Sequence, residues 1–162
     1  MPPAPAIPLG FGRRSASSEP AECPWGGGTY KCCCGPLIAG EQVAATAQQL
    51  MRSRFSAFAL AARDPQAIEH LLRTHPEAGQ TAAARRKVLK DSCRTIQWIG
   101  LDVLDFENGG PVAQFGTVTF EARWRDRDCR EGVLKECSRF GRGESGEWLY
   151  LEALSLDEDA AD

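Results

Sequence analysis

The 162-residue sequence lacks the long apolar segments that membrane proteins and secreted precursors need. No run reaches the ~18 consecutive apolar residues of a membrane-spanning helix. Residues 1–22 contain no apolar stretch of the ~7–15 residues found in secretory signals. Arg13-Arg14 precede Ser-Ala-Ser-Ser-Glu rather than a hydrophobic segment, so a twin-arginine signal is not indicated. We therefore expect a soluble, cytoplasmic protein without membrane contacts.

Signatures of the common catalytic and nucleotide-binding folds are also missing. There is no Walker A loop, no Rossmann glycine fingerprint and no HExxH. Histidine is scarce, with two residues. The isolated cysteines Cys93, Cys129 and Cys137 show no paired histidine or base, so no nucleophile is predicted. A net charge of −3 argues against nucleic-acid binding through bulk charge.

The composition is typical of a globular protein, with 43% hydrophobic and 25% charged residues. Charge is uneven: residues 1–100 carry a balance of +5 and residues 101–162 a balance of −8. The length favours one domain. We predict a disordered leader over residues 1–21, a cysteine-rich segment over 22–40, a folded domain over 43–154 and an acidic tail over 155–162.

Capping signals predict three helices. Thr46 and Gln49 form a capping-box pattern that begins a helix ending near Ala62. Asp64-Pro65 supply an N-cap and a first-turn proline for a second helix ending near Arg73. His75-Pro76 terminate it, because the residue before proline avoids the helical region. A third, basic helix follows Thr81 and ends near Asp91.

The chain then changes to the two-residue period of strands. We predict four strands, over Thr95–Phe106, Gly116–Trp124, Val133–Phe140 and Trp148–Leu154, with Gly100 at a bulge. Helices followed by consecutive antiparallel strands indicate an α+β domain with helices on one face of the sheet.

Four of the seven cysteines lie close together: Cys23, Cys32, Cys33 and Cys34. Zinc takes four soft ligands in a tetrahedron, and the intervening glycines let the chain fold back toward Cys23. Disulfides are disfavoured by the odd count and the missing secretory signal. Free thiols on a linker are the remaining alternative. We predict a zinc site formed by these four cysteines.

This segment resembles the SEC-C zinc motif, approximately C-x-C-G-S-G-K followed by C-C or C-H. Cys23 matches the first ligand, Gly26 and Gly28 the glycines, and Cys33-Cys34 the final pair. Trp25 stands at the second ligand position, where its indole N–H can only donate. Cys32 is the evident substitute. A three-cysteine site completed by water and a decayed site are the alternatives.

A longer stretch resembles the bacterial YchJ family, whose text runs CCGPL and then LMRSRYSAYAL. The matching segments occur in the family's order and are Gly35-Pro36-Leu37, residues 50–60, His75-Pro76, Trp98-Ile99-Gly100-Leu101, Gly116-Thr117-Val118, Ser138-Arg139-Phe140 and Trp148-Leu149-Tyr150. Lys135 and Cys137 depart from the family pattern. The resemblance implies a short zinc knuckle followed by a nuclear-transport-factor-two-like domain, a cone of helices wrapped by a curved antiparallel sheet.

Cone-shaped domains of this type often hold a pocket, so by analogy with the fold we select candidate lining residues. They are Arg54, His75, Trp98, Glu136 and Ser138. Glu136 and Ser138 alternate with Leu134 and Phe140, which indicates an inward orientation. A buried carboxylate there could act as a general base. A structural ion pair between Glu136 and Arg54 is the favoured alternative.

Three hypotheses for function follow. The first is a zinc-binding adaptor or ligand-binding protein, with a protein or ribosomal partner at the zinc motif, a small molecule in the cone pocket, or a second copy of the chain as a dimer partner. The second is an enzyme of hydrolase or isomerase type that uses the pocket. The third is RNA or ribosome association through four cations of the basic helix, Arg85, Arg86, Lys87 and Lys90.

Overall fold

A computed structural model describes residues 19–160 of the chain. Residues 1–18 of the predicted leader and residues 161–162 lie outside the described part. Within it, helices come first and a four-stranded antiparallel sheet follows, which confirms the α+β class. No described helix combines the length and the apolar character needed to cross a membrane.

Four helices precede the sheet: α1 (Cys34–Ile38), α2 (Ala47–Leu60), α3 (Pro65–Arg73) and α4 (Ala82–Thr95). The predicted caps form. Thr46 Oγ1 accepts from the Gln49 backbone N–H at 3.1 Å, and Asp64 Oδ1 accepts from that of Gln66 at 2.9 Å. These side chains satisfy N–H groups that the first helical turn leaves without partners. The capping predictions for α2 and α3 are thereby confirmed.

The sheet is a simple meander in the order β1-β2-β3-β4. Its strands are β1 (Ile96–Asn108), β2 (Phe115–Asp126), β3 (Glu131–Arg142) and β4 (Trp148–Ala160). The register of β1 shifts between Trp98 and Gly100, so the predicted bulge is present. Bulges bend a strand and increase its twist, which helps the sheet curve around the helices.

The end of β4 differs from the sequence prediction. Residues 155–160, assigned above to an acidic tail, continue the strand and pair with β3, as in Leu156 opposite Glu136 and Asp157 opposite Lys135. Backbone hydrogen bonds to β3 satisfy the main chain here, so the strand does not need apolar side chains to continue. The prediction from composition therefore placed the end of β4 too early, at Leu154 instead of Ala160.

Helix α2 lies between the two halves of the core. On one side its residues Ala57 and Leu60 pack with the cysteine segment, α3 and Cys93 of α4. On the other side Leu50, Met51 and Phe55 pack with the concave face of the sheet. Ser53 and Ser56 are completely buried. Polar groups on α2 therefore need partners within the protein.

His70 on α3 supplies one such partner. Ser53 Oγ donates to the Leu50 carbonyl at 2.8 Å and lies 2.9 Å from His70 Nε2. With its hydrogen committed, Ser53 accepts from Nε2–H, which leaves His70 Nδ1 to accept from Arg73 Nη2 at 3.0 Å. Arg73 Nη2 also donates to the Leu37 and Ile38 carbonyls. The neutral ring thus connects α2 to α3, and Arg73 extends this network to the end of α1.

This network predicts a pH dependence of stability. Burial, and then the positive charges of Arg73 and Arg54, lower the pKa of His70 to about 3. Below pH ~6.5 the unfolded chain binds a proton that the folded chain excludes, so the free energy of unfolding falls as pH decreases from 6.5 toward 3, by about 1.4 kcal/mol per pH unit. Urea unfolding at several pH values measures this slope.

The slope should be shallower in His70→Gln than in the wild type over the same interval, because effects common to both proteins cancel. Equal slopes in wild type and His70→Gln would contradict the assignment.

Candidate metal centre and cavity

The cysteine segment folds back on itself in a tight turn. The Cys23 backbone N–H donates to the Gly28 carbonyl at 2.7 Å, and Glu22 pairs with Thr29 in an isolated bridge. Gly28 adopts a φ of +130°, a conformation that favours glycine. A Cβ at Gly27 would lie 1.7 Å from the Trp25 ring. The glycines therefore let Trp25 fold against the turn and bring Cys23 toward the cysteines that follow.

Three sulfur atoms meet at this turn. The Sγ atoms of Cys23, Cys33 and Cys34 all lie within 4.8 Å of one another, and those of Cys33 and Cys34 are 3.8 Å apart. A tetrahedral zinc ion with Zn–S bonds of ~2.3 Å places its sulfurs about 3.8 Å apart. The spacing and the soft donors thus fit a metal of the zinc type. The described residues supply three sulfur ligands.

Cys32, the predicted fourth ligand, is not part of this group. Its side chain is exposed, and it ends the 3-10 turn Tyr30–Cys32, which precedes α1. Cys33, at the junction, has φ −125° and ψ −101°. Three consecutive side chains cannot all point one way without distortion, so with Cys33 and Cys34 turned toward Cys23, Cys32 points outward. The arrangement favours the three-cysteine alternative over a set of four.

Trp25 takes a different role at the position of the missing ligand. Its indole Nε1–H donates to Cys33 Sγ at 3.2 Å. The Arg52 guanidinium of α2 lies 4.4 Å from the ring centroid of Trp25, a cation–π contact. Residues that hydrogen-bond to a metal ligand orient it and tune the metal. Sequence reasoning excluded Trp25 as a ligand but missed this donor role.

Ser56 of α2 and the neighbouring thiols influence the charge of the cluster. Ser56 Oγ donates to Cys34 Sγ at 3.3 Å and lies 3.7 Å from Cys23 Sγ. The hydrogen bond from Cys34 lowers the pKa of Cys23 to about 6, against the opposing effect of burial. The same bond, together with burial, raises the pKa of Cys34. Metal binding would displace the protons that the three thiols still hold.

A separate cavity of about 280 Å³ lies between α2 and the concave face of the sheet. Its walls are mainly apolar and aromatic, with large side chains from both layers: Met51, Phe55, Phe58, Trp98, Phe120 and Phe140. Phe55 and Trp98 pack edge to face with ring centroids 6.3 Å apart. The volume is at the lower edge of the ~300–1,000 Å³ of ordinary ligand sites. The cavity can therefore accommodate a small molecule.

All five predicted pocket residues line this cavity: Arg54, His75, Trp98, Glu136 and Ser138. The expected ion pair between Arg54 and Glu136 does not form among the described residues. Arg54 Nη1 donates instead to the Leu71 carbonyl and to Thr74 Oγ1. Glu136 Oε1 accepts from Ser138 Oγ and from the Tyr150 hydroxyl, each at 2.7 Å.

Tyr150, which sequence reasoning did not select, separates the two charges. Its ring centroid lies 5.0 Å from the Arg54 guanidinium carbon, while its hydroxyl binds Glu136. Burial, and then the bond to Glu136, raise the pKa of Tyr150, so the phenol keeps its proton. Burial lowers the pKa of Arg54 to about 10, and the guanidinium stays charged at neutral pH. The family segment Trp148-Leu149-Tyr150 was the available signal for this residue.

His75 and Ser138 are not arranged as a catalytic pair. His75 Nδ1 bonds the Tyr150 carbonyl and Nε2 bonds Glu77 Oε1, each at 3.0 Å. Ser138 Oγ donates to Glu136. Since both ring nitrogens are already bonded, His75 has no position from which to take the Ser138 proton.

Comparisons with known proteins agree with this architecture. Residues 46–153 match the family model described as YchJ, middle NTF2-like domain. The chain belongs to the YchJ family. It is 40% identical over 145 residues to a UPF0225 protein of Ralstonia nicotianae, covering 85% of this chain and 93% of that protein. It is 38% identical over 147 residues to a UPF0225 protein of Chromobacterium violaceum, covering 87% of this chain and 98% of that protein.

One solved structure is similar to this YchJ-family chain, and its description names a SEC-C motif. It is the solution structure of a SEC-C motif containing protein from Rhodopseudomonas palustris, with 30% sequence identity and a TM-score of 0.67. The match covers 84% of this chain and 99% of that one. The predicted family resemblance is confirmed over most of the described chain.

The hydrogen bond from Trp25 predicts a measurable effect on metal binding. Trp25→Phe keeps an aromatic ring beside Arg52 but removes the N–H that bonds Cys33 Sγ. Loss of a bond to a metal ligand typically lowers metal affinity by about 10–100-fold. Competition titration of the purified chain with a chromophoric zinc chelator measures the change.

Trp124→Phe is the matched control, because Trp124 Nε1 is buried without a hydrogen-bond partner among the described residues and is not part of the cysteine cluster. It should leave zinc affinity unchanged. Equal zinc affinities for Trp25→Phe and the wild type would contradict the proposed contribution of the indole.

Proposed function

We propose that this YchJ-family protein is a zinc-binding adaptor that also binds a small molecule in its cone domain. The single observation that carries the metal part is the group of three buried or half-buried sulfurs of Cys23, Cys33 and Cys34, spaced as zinc ligands are. All seven cysteines are free thiols, which suits the reducing cytoplasm.

Zinc at this position has a structural role. Cys23 lies in the glycine turn, and Cys34 is the first residue of α1. The hydroxyl of Ser56 on α2 contacts the sulfur atoms of both cysteines. The metal supplies a crosslink between segments that have little apolar surface of their own. It therefore fixes the fold of the knuckle, defined as residues 22–40, and the hydrogen bond from Ser56 to Cys34 connects the knuckle to the cone domain.

The adaptor role follows from the open side of the cluster. With Cys32 turned outward, the fourth coordination position is left to water or to a donor atom of a partner. Cys33 is half-buried, while residues 26–28 of the glycine turn and Cys32 are exposed. A protein or ribosomal partner would bind at this rim.

Two other functions have less support. Hydrolysis by a nucleophile paired with a base has no support among the described residues, because Ser138 and His75 are each bonded elsewhere. Isomerisation would rest on Glu136 as general base, and Oε1 of this carboxylate already accepts two hydrogen bonds. Two of the four cations proposed for RNA binding by the basic helix are already paired with carboxylates. Arg85 pairs with Glu77 at 3.4 Å and Arg86 with Glu69 at 2.7 Å. Lys87 and Lys90 remain exposed, which is a small patch for phosphate contacts.

Metal content of the full chain tests the proposal. The chain is purified without a tag at neutral pH, and elemental analysis is compared for wild type, Cys33→Ser and Cys32→Ser. We expect about one zinc per chain in the wild type and in Cys32→Ser, and a loss of most metal in Cys33→Ser, since structural sites bind tightly and need each sulfur.

Cys32→Ser is the matched control, because it makes the same substitution one residue away on an exposed side chain. Wild-type protein free of zinc would overturn the metal proposal. Equal loss from both variants would show that Cys32 is a ligand and would refute the three-sulfur set. A different metal in stoichiometric amount would keep the site and correct the ion.

A further inference from the structure

The polar end of the cavity indicates which class of molecule it binds, and this inference rests on the ligand-binding part of the proposed function. Two charged side chains are buried there. Arg54 of α2 is 8% exposed and Glu136 of β3 is 9% exposed. Buried charges are usually paired directly, yet these two are held apart by Tyr150.

Each of the two charged groups has bonding capacity that the described protein does not use. On Arg54, Nη1 makes both hydrogen bonds, while Nε and Nη2 have no acceptor among the described residues. On Glu136, Oε1 accepts both hydrogen bonds, while Oε2 accepts none within the described part of the chain. The cavity thus offers donors on one side and an acceptor on the other.

The balance of charge favours an uncharged ligand. One guanidinium and one carboxylate neutralise each other at the polar end, and His75 is bonded to Glu77 outside it. A bound anion would lie near the negative charge of Glu136, and a bound cation would lie near the positive charge of Arg54. A buried charge without a counter-charge is costly. A neutral group that both accepts and donates uses both residues without this penalty.

We propose that the cavity binds a small, uncharged, planar molecule with an amide-type edge, in which a carbonyl oxygen accepts from Arg54 and an adjacent N–H donates to Glu136 Oε2. Carboxamides, lactams and ureides have this edge. The aromatic walls from Phe55, Trp98 and Phe120 contact the flat body of the molecule. Ser138 and Tyr150 hold the carboxylate in place from the other side.

Four probes of nearly equal size separate this proposal from its competitors: benzamide, benzoate, benzylammonium and toluene. They share the ring and differ in the polar edge. Binding to the full zinc-loaded chain is followed by saturation-transfer NMR and by the indole N–H resonance of Trp98 in the cavity wall. We expect benzamide to bind about tenfold more tightly than either charged probe and than toluene.

Glu136→Gln is the decisive variant, because it keeps the size of the side chain and an oxygen to accept from Ser138 and Tyr150. It removes the negative charge and leaves Arg54 without a counter-charge. The order of preference should then reverse, with benzoate binding about tenfold more tightly than it binds wild type. A gain of binding cannot result from misfolding. Glu152→Gln, an exposed change on β4, should leave the order unchanged.

The outcomes separate the two proposals. Wild-type preference for benzoate, benzylammonium or toluene would overturn the ligand class but keep a ligand-binding cavity. An unchanged order in Glu136→Gln would likewise overturn the class. Failure of all four probes to bind would overturn both the ligand class and the ligand-binding function. The zinc content of the purified chain would decide the proposed metal site independently.

Discussion

The burial of helix α2 on both of its sides is the constraint on which the rest of the structure depends. The knuckle and α3 cover one side and the sheet covers the other, so polar side chains on α2 are cut off from bulk water and need partners inside the protein. Residues 52–56 read Arg-Ser-Arg-Phe-Ser and advance by ~100° per residue around the helix. Arg52 therefore reaches Trp25, Ser53 reaches His70, Arg54 enters the cavity and Ser56 reaches the sulfurs.

This arrangement places the metal centre and the cavity on a single turn of one helix. Ser56 contacts the cysteine cluster, while Phe55 and Arg54, one and two residues earlier, form part of the cavity wall. A crosslink that fixes Cys34 within the knuckle therefore also fixes the acceptor of the Ser56 hydrogen bond, and Ser56 lies on the helix that carries Arg54. The knuckle is short and has little core of its own, but it completes the burial of α2, which the sheet covers from the other side. The physical dependence between the two parts gives a reason for their presence in one chain.

The sequence was sufficient for elements whose signals are local. Thr46 and Asp64 mark helix starts because capping depends on two or three neighbouring residues, and the inward position of Glu136 and Ser138 follows from two-residue alternation. Contacts between distant segments could not be read in this way. The position of Tyr150 between Arg54 and Glu136 depends on how β4 pairs with β3, and the outward turn of Cys32 depends on the backbone at Cys33. The continuation of β4 to Ala160 depends on hydrogen bonds to β3 that leave no mark on composition.

The hydrogen-bonding state of the cavity shows which of its side chains remain free to contact a ligand. His75 uses both ring nitrogens and Ser138 gives its proton to Glu136, so neither is available as a base or nucleophile. The unused capacity lies on Arg54 and Glu136, whose charges oppose each other across Tyr150. Charged groups held apart in this way cost free energy in the empty protein, and a molecule that bonds to both recovers part of it. In the proposed complex, the same separation that weakens the fold therefore supplies binding free energy, and the neutrality of the polar end selects an uncharged ligand.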